Sequence, residues 1–271
     1  MNSSPHPTMQ TILVGTDGSD LARRAVVVGR AFAAAAGLPA QVVKITAPDV
    51  PSSNAANGCI DRSLAARTPA EGLLDVASQT GTTALCIASH GRGPLGRSLF
   101  GSVTAELLRS APDPLLIVGR EFRGASHRRC RWSPDTVVAL VDGTSESEAM
   151  LPFAQRAAQM LGSNLEVTAV ARSEPKPLRG APESGLRWHE AEYLDRLVQG
   201  LDEEGAASLV LRDPIGTVGA LRDLTRTPPF EPADTTHHLI VVARSRSGDG
   251  QRQIRRIADR VPVPVLVSSP A

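Results

Sequence analysis

The chain has 271 residues, 41% hydrophobic and 21% charged, with 29 basic and 28 acidic side chains for a net charge of +1. That apolar share supports a buried core and excludes wholesale disorder, while the charge balance argues against a dedicated nucleic-acid binder, whose affinity comes from neutralising phosphates. Aromatics are 3%, too few for a base-stacking platform, and with Lys44 and Lys176 as the lysines, lysine-dependent chemistry has almost no candidates.

The N-terminal MNSSPHPTMQ is polar and has no apolar leader region, and no run of 18 apolar residues occurs. Residues 11–19, TILVGTDGS, predict a β-branched strand ending in Asp17-Gly18-Ser19. Ser19 is placed to cap an Ala-rich helix over Asp20–Ala36, and Gly37 to terminate it. Gln41–Thr46 predicts a second strand. Residues 47–68 are rich in Pro, Ser and Asn and predict a loop, with one poor strand near Cys59–Leu64. LCIAS (85–89) predicts a strand. A glycine-containing loop follows, then a helix starting near Gly101-Ser102 that carries Val103, Leu107 and Leu108. PDPLLIV (112–118) predicts the closing strand. The five arginines of 120–132 (Arg120, Arg123, Arg128, Arg129, Arg131) read as a solvated linker, with an anion-binding surface as the alternative.

The second half repeats the first. TVVALVDGT (136–144) matches TILVGTDGS without gaps at an offset of 125. A helix over Glu146–Leu161, with Thr144 as cap and Gly162 as terminator, leads to a strand over Leu165–Ala171. Leu186–Glu204 predicts an amphipathic helix and Ser208–Leu211 a strand; LIVVA (239–243) and PVPVLVS (262–268) close the half. Asp142 and Ala243 stand about 30 residues further apart than Asp17 and Ala88. Apolar strands alternating with helices predict an α/β fold of two tandem Rossmann-like, flavodoxin-like domains. Each has a mostly parallel five-stranded sheet flanked by helices, the first lacking one helix. The boundaries are 1–120, a linker over 121–132, and 133–271.

Three scattered cysteines (Cys59, Cys86, Cys130) without Cys-x-x-Cys suit a reducing cytoplasm rather than a disulfide framework. His127 and Cys130 are too few for zinc.

The chemistry concentrates in 88–103, ASHGRGPLGRSLFGSV: strand, glycine loop, helix start. Glycines let backbone N–H groups converge on a ligand, and a helix start offers N–H groups and a positive dipole end. Gly91, Gly101 and Ser102 supply that cradle, Ser102 either capping the helix or bonding a phosphate, and Arg92 and Arg97 add charge. Asp17 ends the first strand, where open α/β sheets place ligands; it suits a ribose hydroxyl or Mg²⁺, or simply the turn and cap. Walker A and Gly-x-Gly-x-x-Gly patterns are absent.

These residues carry a resemblance to the universal stress protein family, in its tandem two-domain form. The matching segments are Asp17-Gly18-Ser19, Ala88-Ser89-His90-Gly91 through Phe100-Gly101-Ser102-Val103, and the closing Pro-x-Pro strand. Its ATP-binding members carry Gly, two residues, Gly, nine residues, Gly-Ser/Thr; here the first glycine is Ala88. The resemblance implies an ATP site, with or without Mg²⁺, formed by Gly15, Asp17, Ile45, Ala88, Gly91, Arg92, Gly101, Ser102 and Val103, with adenine near Val43 and Ile45. It implies a cytoplasmic stress-response regulator rather than an enzyme, working as a homodimer or with a protein partner, with neither nucleic acid nor membrane. The second domain keeps Asp142-Gly143-Thr144 but has Gln251 and Arg252 opposite Gly101 and Ser102, and is expected to serve as a structural or dimerisation partner. The alternatives are an interaction protein of the same family that binds no nucleotide, and a slow ATPase.

Overall fold

The computed structural model describes residues 11–46, 60–89, 101–111, 113–123, 132–171, 184–201, 206–212, 216–225, 238–245 and 247–269. Two compact units divide them, one up to Arg120 and one from Ser133. The first unit runs β1 (Thr11–Thr16), α1 (Asp20–Ala35), β2 (Ala40–Thr46), β3 (Arg62–Ala65), α2 (Pro69–Thr80), β4 (Thr82–Ala88), α3 (Ser102–Ser110) and β5 (Leu115–Val118). Its strand order is β3-β2-β1-β4-β5, every pair parallel. Parallel strands covered on both faces need apolar residues in succession, and Ile12, Leu13, Val14, Leu85, Cys86 and Leu115 to Val118 are all buried.

Neighbouring residues of β1 show which helix covers which face. A Cβ on Gly29 of α1 would fall 2.7 Å from Val14 Cγ2 and 3.1 Å from Cys86 Cβ, so α1 lies against that face. The next residue, Gly15, faces the other way. A Cβ there would fall 2.9 Å from Leu73 Cδ1 of α2 and 3.3 Å from Ile87 Cγ2. The crossovers therefore run outward through α1 and return through α2 and α3 on the opposite face. β1 and β4 are the neighbours where the direction changes.

The second unit runs β6 (Thr136–Val141), α4 (Ser145–Ala149), α5 (Leu151–Leu161), β7 (Asn164–Ala171), α6 (Ser184–Gln199), β8 (Ala207–Arg212), α7 (Thr217–Leu224), β9 (His238–Ala243), α8 (Gly248–Arg260) and β10 (Val265–Ser268). Its order, β8-β7-β6-β9-β10, is that of the first unit, again all parallel. Registers correspond pair by pair. Ile12–Ala40 answers Val137–Leu165, a shift of 125. Val43–Arg62 answers Thr168–Leu209, where the third strand is shifted by 147. Leu13–Leu85 answers Val138–Ile240, shifting the fourth strand by 155. Leu85–Leu115 answers Ile240–Val265, shifting the last by 150. The excess thus falls mainly between the second and third strands, where α6 lies, and the connection between the last two strands is shorter in the second unit.

In the first unit, the stretch where a counterpart of α6 would lie falls mostly outside the described residues. The β-strands beside it carry their own signal. Lys44 and Ser63 are register partners and half-exposed, at positions held by Ala169 and Val210 in the second unit, where α6 packs on β7 and β8.

Several elements depart from expectation. The single helix expected over Glu146–Leu161 is two, α4 and α5, meeting at Met150. Pro152 has no N–H to donate back to Glu148, so the ladder breaks there. α2 and α7 were not anticipated. The segment of α2 carried a readable signature: Thr68 accepts from Glu71 N–H at 3.2 Å, Pro69 opens the helix, and Gly81 ends it at φ 59°. α7 starts at Gly216 without a side-chain cap. The Arg-rich linker is not wholly solvated, because Phe122 is fully buried and Trp132 nearly so.

Candidate functional site

At the carboxyl end of β1 the chain makes a tight turn held by its own side chains. Gly18, at φ 76°, donates to Thr16 Oγ1 at 3.1 Å. Asp17 Oδ1 accepts from Ser19 N–H at 2.9 Å, and Ser19 Oγ caps α1 by accepting from Ala22 N–H at 3.2 Å. Arg23, one turn into α1, donates to Gly18 O at 2.9 Å and pairs with Asp20. Asp17 is thus half-buried, with one oxygen committed to the turn.

Beside it, β4 ends at Ala88, two residues beyond Cys86, the register partner of Val14. Ser89, fully buried, donates its N–H to Val118 O at 2.9 Å and accepts at its carbonyl from Gly101 N–H at 3.1 Å. The chain therefore leaves the sheet at Ser89 and returns to the same point at Gly101. Thr104, 2% exposed, adds a second tie: its hydroxyl lies 3.2 Å from Ser89 O and 3.4 Å from Ala88 O. Gly101 is the N-cap of α3 and offers no side-chain cap; Ser102 is the first helical residue, exposed, and does not cap the helix. Val103 follows, half-buried. The first N–H groups of α3 thus open at the end of β4, one strand away from Asp17, at the point where the strand order reverses.

Gly15 and Ile45 lie deeper. Gly15 is buried against Leu73 and Ile87, so its missing side chain lets α2 approach the sheet. Ile45 is half-buried, and a Cβ on Gly72 of α2 would meet its Cδ1 at 2.9 Å. Gly91 and Arg92 lie outside the described residues. Sequence reasoning missed Ser89 and Thr104; the readable signal was a threonine in the first turn of a helix whose inner face is otherwise leucine.

The second unit keeps one half of this arrangement. Asp142 Oδ1 accepts from Thr144 N–H at 3.2 Å and from its hydroxyl at 2.6 Å, and Thr144 caps α4 through Ser147 N–H. Partial desolvation would raise the Asp142 carboxyl, but hydrogen bonds from Thr144 and Ser147 outweigh it and hold it below the usual range. Arg23 has Glu148 as its counterpart, which accepts from Tyr193 Oη of α6 at 2.7 Å. Burial and that carboxylate push the Tyr193 hydroxyl up. At the end of β9, α8 begins at Gly248, four positions upstream of the counterpart of Ser102 at the final shift of 150. Its cap is Ser247, which accepts from Gly250 N–H at 3.0 Å, and a Cβ on Gly250 would collide with Ser245. The helix start that is open in the first unit is closed here by the chain's own serines.

A model of the universal stress protein family matches residues 53–119, which hold β3 to β5 and the tied ends at Ser89 and Gly101. Over 220 residues the chain is 26% identical to the universal stress protein Rv2624c of Mycobacterium tuberculosis strain H37Rv, covering 70% of this chain and 76% of that one. The chain is thus similar to universal stress proteins over most of its length. Solved structures share the fold over nearly its whole length. A universal stress protein of Archaeoglobus fulgidus DSM 4304 superposes with a TM-score of 0.54 at 15% identity, covering 96% of this chain and 98% of that one. A functionally unknown protein of Pseudomonas aeruginosa PAO1, PA1789, gives 0.58 at 16% identity, covering 97% and 93%. Among the described residues, no helix is long and apolar enough to cross a membrane, and no three His, Cys, Asp or Glu side chains cluster as metal ligands.

Proposed function

We propose that the first unit binds ATP where β1 and β4 end, and that the protein is a stress-response regulator rather than an enzyme. It acts through conformation, as a homodimer or with a protein partner in the cytoplasm. The observation that carries this reading is the α3 start: Gly101 leaves it without a side-chain cap, and it is tied to the end of β4 beside Asp17. The donor set fits the ligand. Backbone N–H groups and the exposed Ser102 hydroxyl suit phosphate oxygens, and a carboxylate at the end of β1, Asp17, suits ribose hydroxyls. Ile45 flanks the adenine side, and Gly91 and Arg92, outside the described residues, are assigned to the phosphates from the family spacing alone. Magnesium would travel with the nucleotide. The second unit, its helix start closed by Ser245 and Ser247, serves as the structural partner.

The test is the nucleotide released when the purified protein is denatured, followed by calorimetric titration of the emptied chain with ATP. Bound or titratable ATP at one site per chain is expected. An emptied chain that neither binds ATP nor shifts its melting temperature with it overturns the reading. That result would favour the interaction-protein alternative, for which Ala88, in place of the family's first glycine, speaks. Steady-state phosphate release from bound ATP separates a regulator from a slow ATPase.

A further inference from the structure

We propose that Thr104 is a positioning residue for the ligand site of the first unit. Its buried hydroxyl clamps the first turn of α3 to the carboxyl end of β4 and so fixes the direction of the helix's first N–H groups. The inference rests on the ATP reading of that site.

Three observations on named atoms carry it. First, Thr104 is 2% exposed, on the inner face of α3 with Leu107 and Leu108, where an apolar residue would pack as well. A hydroxyl at such a position has to earn its desolvation through a hydrogen bond. Second, its acceptors are the carbonyls of Ala88 and Ser89, at 3.4 and 3.2 Å, the last residues before the chain departs into the glycine loop. Ser89 O also accepts from Gly101 N–H at 3.1 Å, so one carbonyl gathers both ends of that loop. Third, the second unit supplies a natural control. The counterpart of Thr104, at the shift of 150 that relates β5 to β10, is Ile254, buried at 4% exposure. There the helix starts a turn earlier and closes on its own serines. The hydroxyl is present where the helix start is open and absent where it is closed. A helix start binds an anion well only when its N–H groups are held in the binding direction beforehand.

The experiment compares Thr104→Val, which keeps shape, with Thr104→Ser, which keeps the hydroxyl, in the full-length chain. Titrations use ATP and adenosine, and amide hydrogen exchange of the nucleotide-free protein reads Gly101 directly. Thr104→Val is expected to weaken ATP about tenfold, roughly 1.4 kcal/mol. Adenosine should bind unchanged, Gly101 exchange should quicken while α1 amides hold, and Thr104→Ser should restore all three. A general loosening of the fold would move adenosine and α1 as well, and that result overturns the positioning role. So does Thr104→Val binding ATP like the parent, or unchanged Gly101 exchange. If the parent chain binds no ATP, the nucleotide reading fails on its own, and the exchange of Gly101 still decides whether Thr104 holds the turn.

Discussion

The carboxyl ends of the strands in the two units share one frame and diverge at one strand. At β1 and β6 the turn is kept almost bond for bond: Gly18 and Gly143 at φ 76° and 80°, Asp17 and Asp142 accepting from the residue two further on, Ser19 and Thr144 capping the helix. At β4 and β9 the strand exit is kept, Ser89 and Arg244 each donating to the last carbonyl of the neighbouring strand, but the helix start that follows is not. One helix start is open under a tied glycine, and the other is extended by a turn and sealed. The Asp-Gly-Ser/Thr turn is present in both units, so it is a requirement of the fold before it is evidence of a ligand. The segment from β4 to α3 is what distinguishes the units, and function is to be sought there.

The largest effect that tests the shared frame lies in the core. Gly29 of α1 sits under Val14, while the residues at the corresponding positions of the second unit, 125 further on, are Ala154 and Ala139, both fully buried. The volume has moved from strand to helix. Gly29→Ala is expected to destabilise the first unit by about 1–3 kcal/mol through overpacking against Val14 and Cys86. Combining it with Val14→Ala recreates the pair of the second unit and should recover most of the loss. Urea unfolding of the single and double variants measures this. Additive losses would mean that the two cores do not exchange volume at this contact.

Next comes the contrast in binding. Asp17→Ala should weaken ATP by at least tenfold, about 1.4 kcal/mol, whereas Asp142→Ala should leave the titration of the full chain unchanged. Equal losses in both variants would assign nucleotide to both units and undo the contrast.

Much of this was legible in the residues. The repeat of TILVGTDGS at 125 made β1 and β6 and the turns that follow them legible, because β-branched runs ending in Asp-Gly-Ser/Thr constrain strand, turn and cap together. α2 was passed over although Thr68-Pro69 and Glu71 spell its start, since its Ala- and Gly-containing face gives a shallow apolar period. The break at Met150 was missed because periodicity reads through a proline that hydrogen bonding does not. The resemblance implies Gly15 as a ligand contact; its packing against Leu73 depends on a helix about sixty residues away and cannot be seen locally. The tie from Thr104 to Ser89 is likewise a tertiary fact.

Smaller effects separate the two conserved turns. Ser19→Ala and Thr144→Ala each remove a helix cap and should each cost about 1 kcal/mol at neutral pH. Thr144 also donates to Asp142 at 2.6 Å, one of the bonds that hold that carboxyl below its usual range. A carboxyl whose value is lowered on folding adds stability above its ordinary value, and that contribution is lost as the pH falls through the lowered value. The gap between parent and Thr144→Ala should therefore narrow below the ordinary value of 3.8, as seen by thermal unfolding along an acid series. A gap that stays constant down to strongly acidic pH would remove Asp142 from the account of this turn.

The smallest contrast expected is none at all. α1 and α5 end alike. Gly37 and Leu38 donate to Ala34 O and Ala33 O at 3.2 and 2.9 Å, and Gly162 and Ser163 donate to Gln159 O and Ala158 O at the same distances. Both glycines are left-handed, at φ 66° and 65°, and a Cβ on either would meet nothing within 4 Å. The cost of alanine at these positions is therefore backbone strain alone, about 1 kcal/mol, without a packing term to distinguish them. Gly37→Ala and Gly162→Ala should lower stability equally. A difference of more than about 0.5 kcal/mol, beyond the scatter of independent sites, would show that the units respond differently even where their geometry coincides. In that event, the divergence at β4 and β9 would be one consequence of a broader asymmetry in stability and not its sole origin.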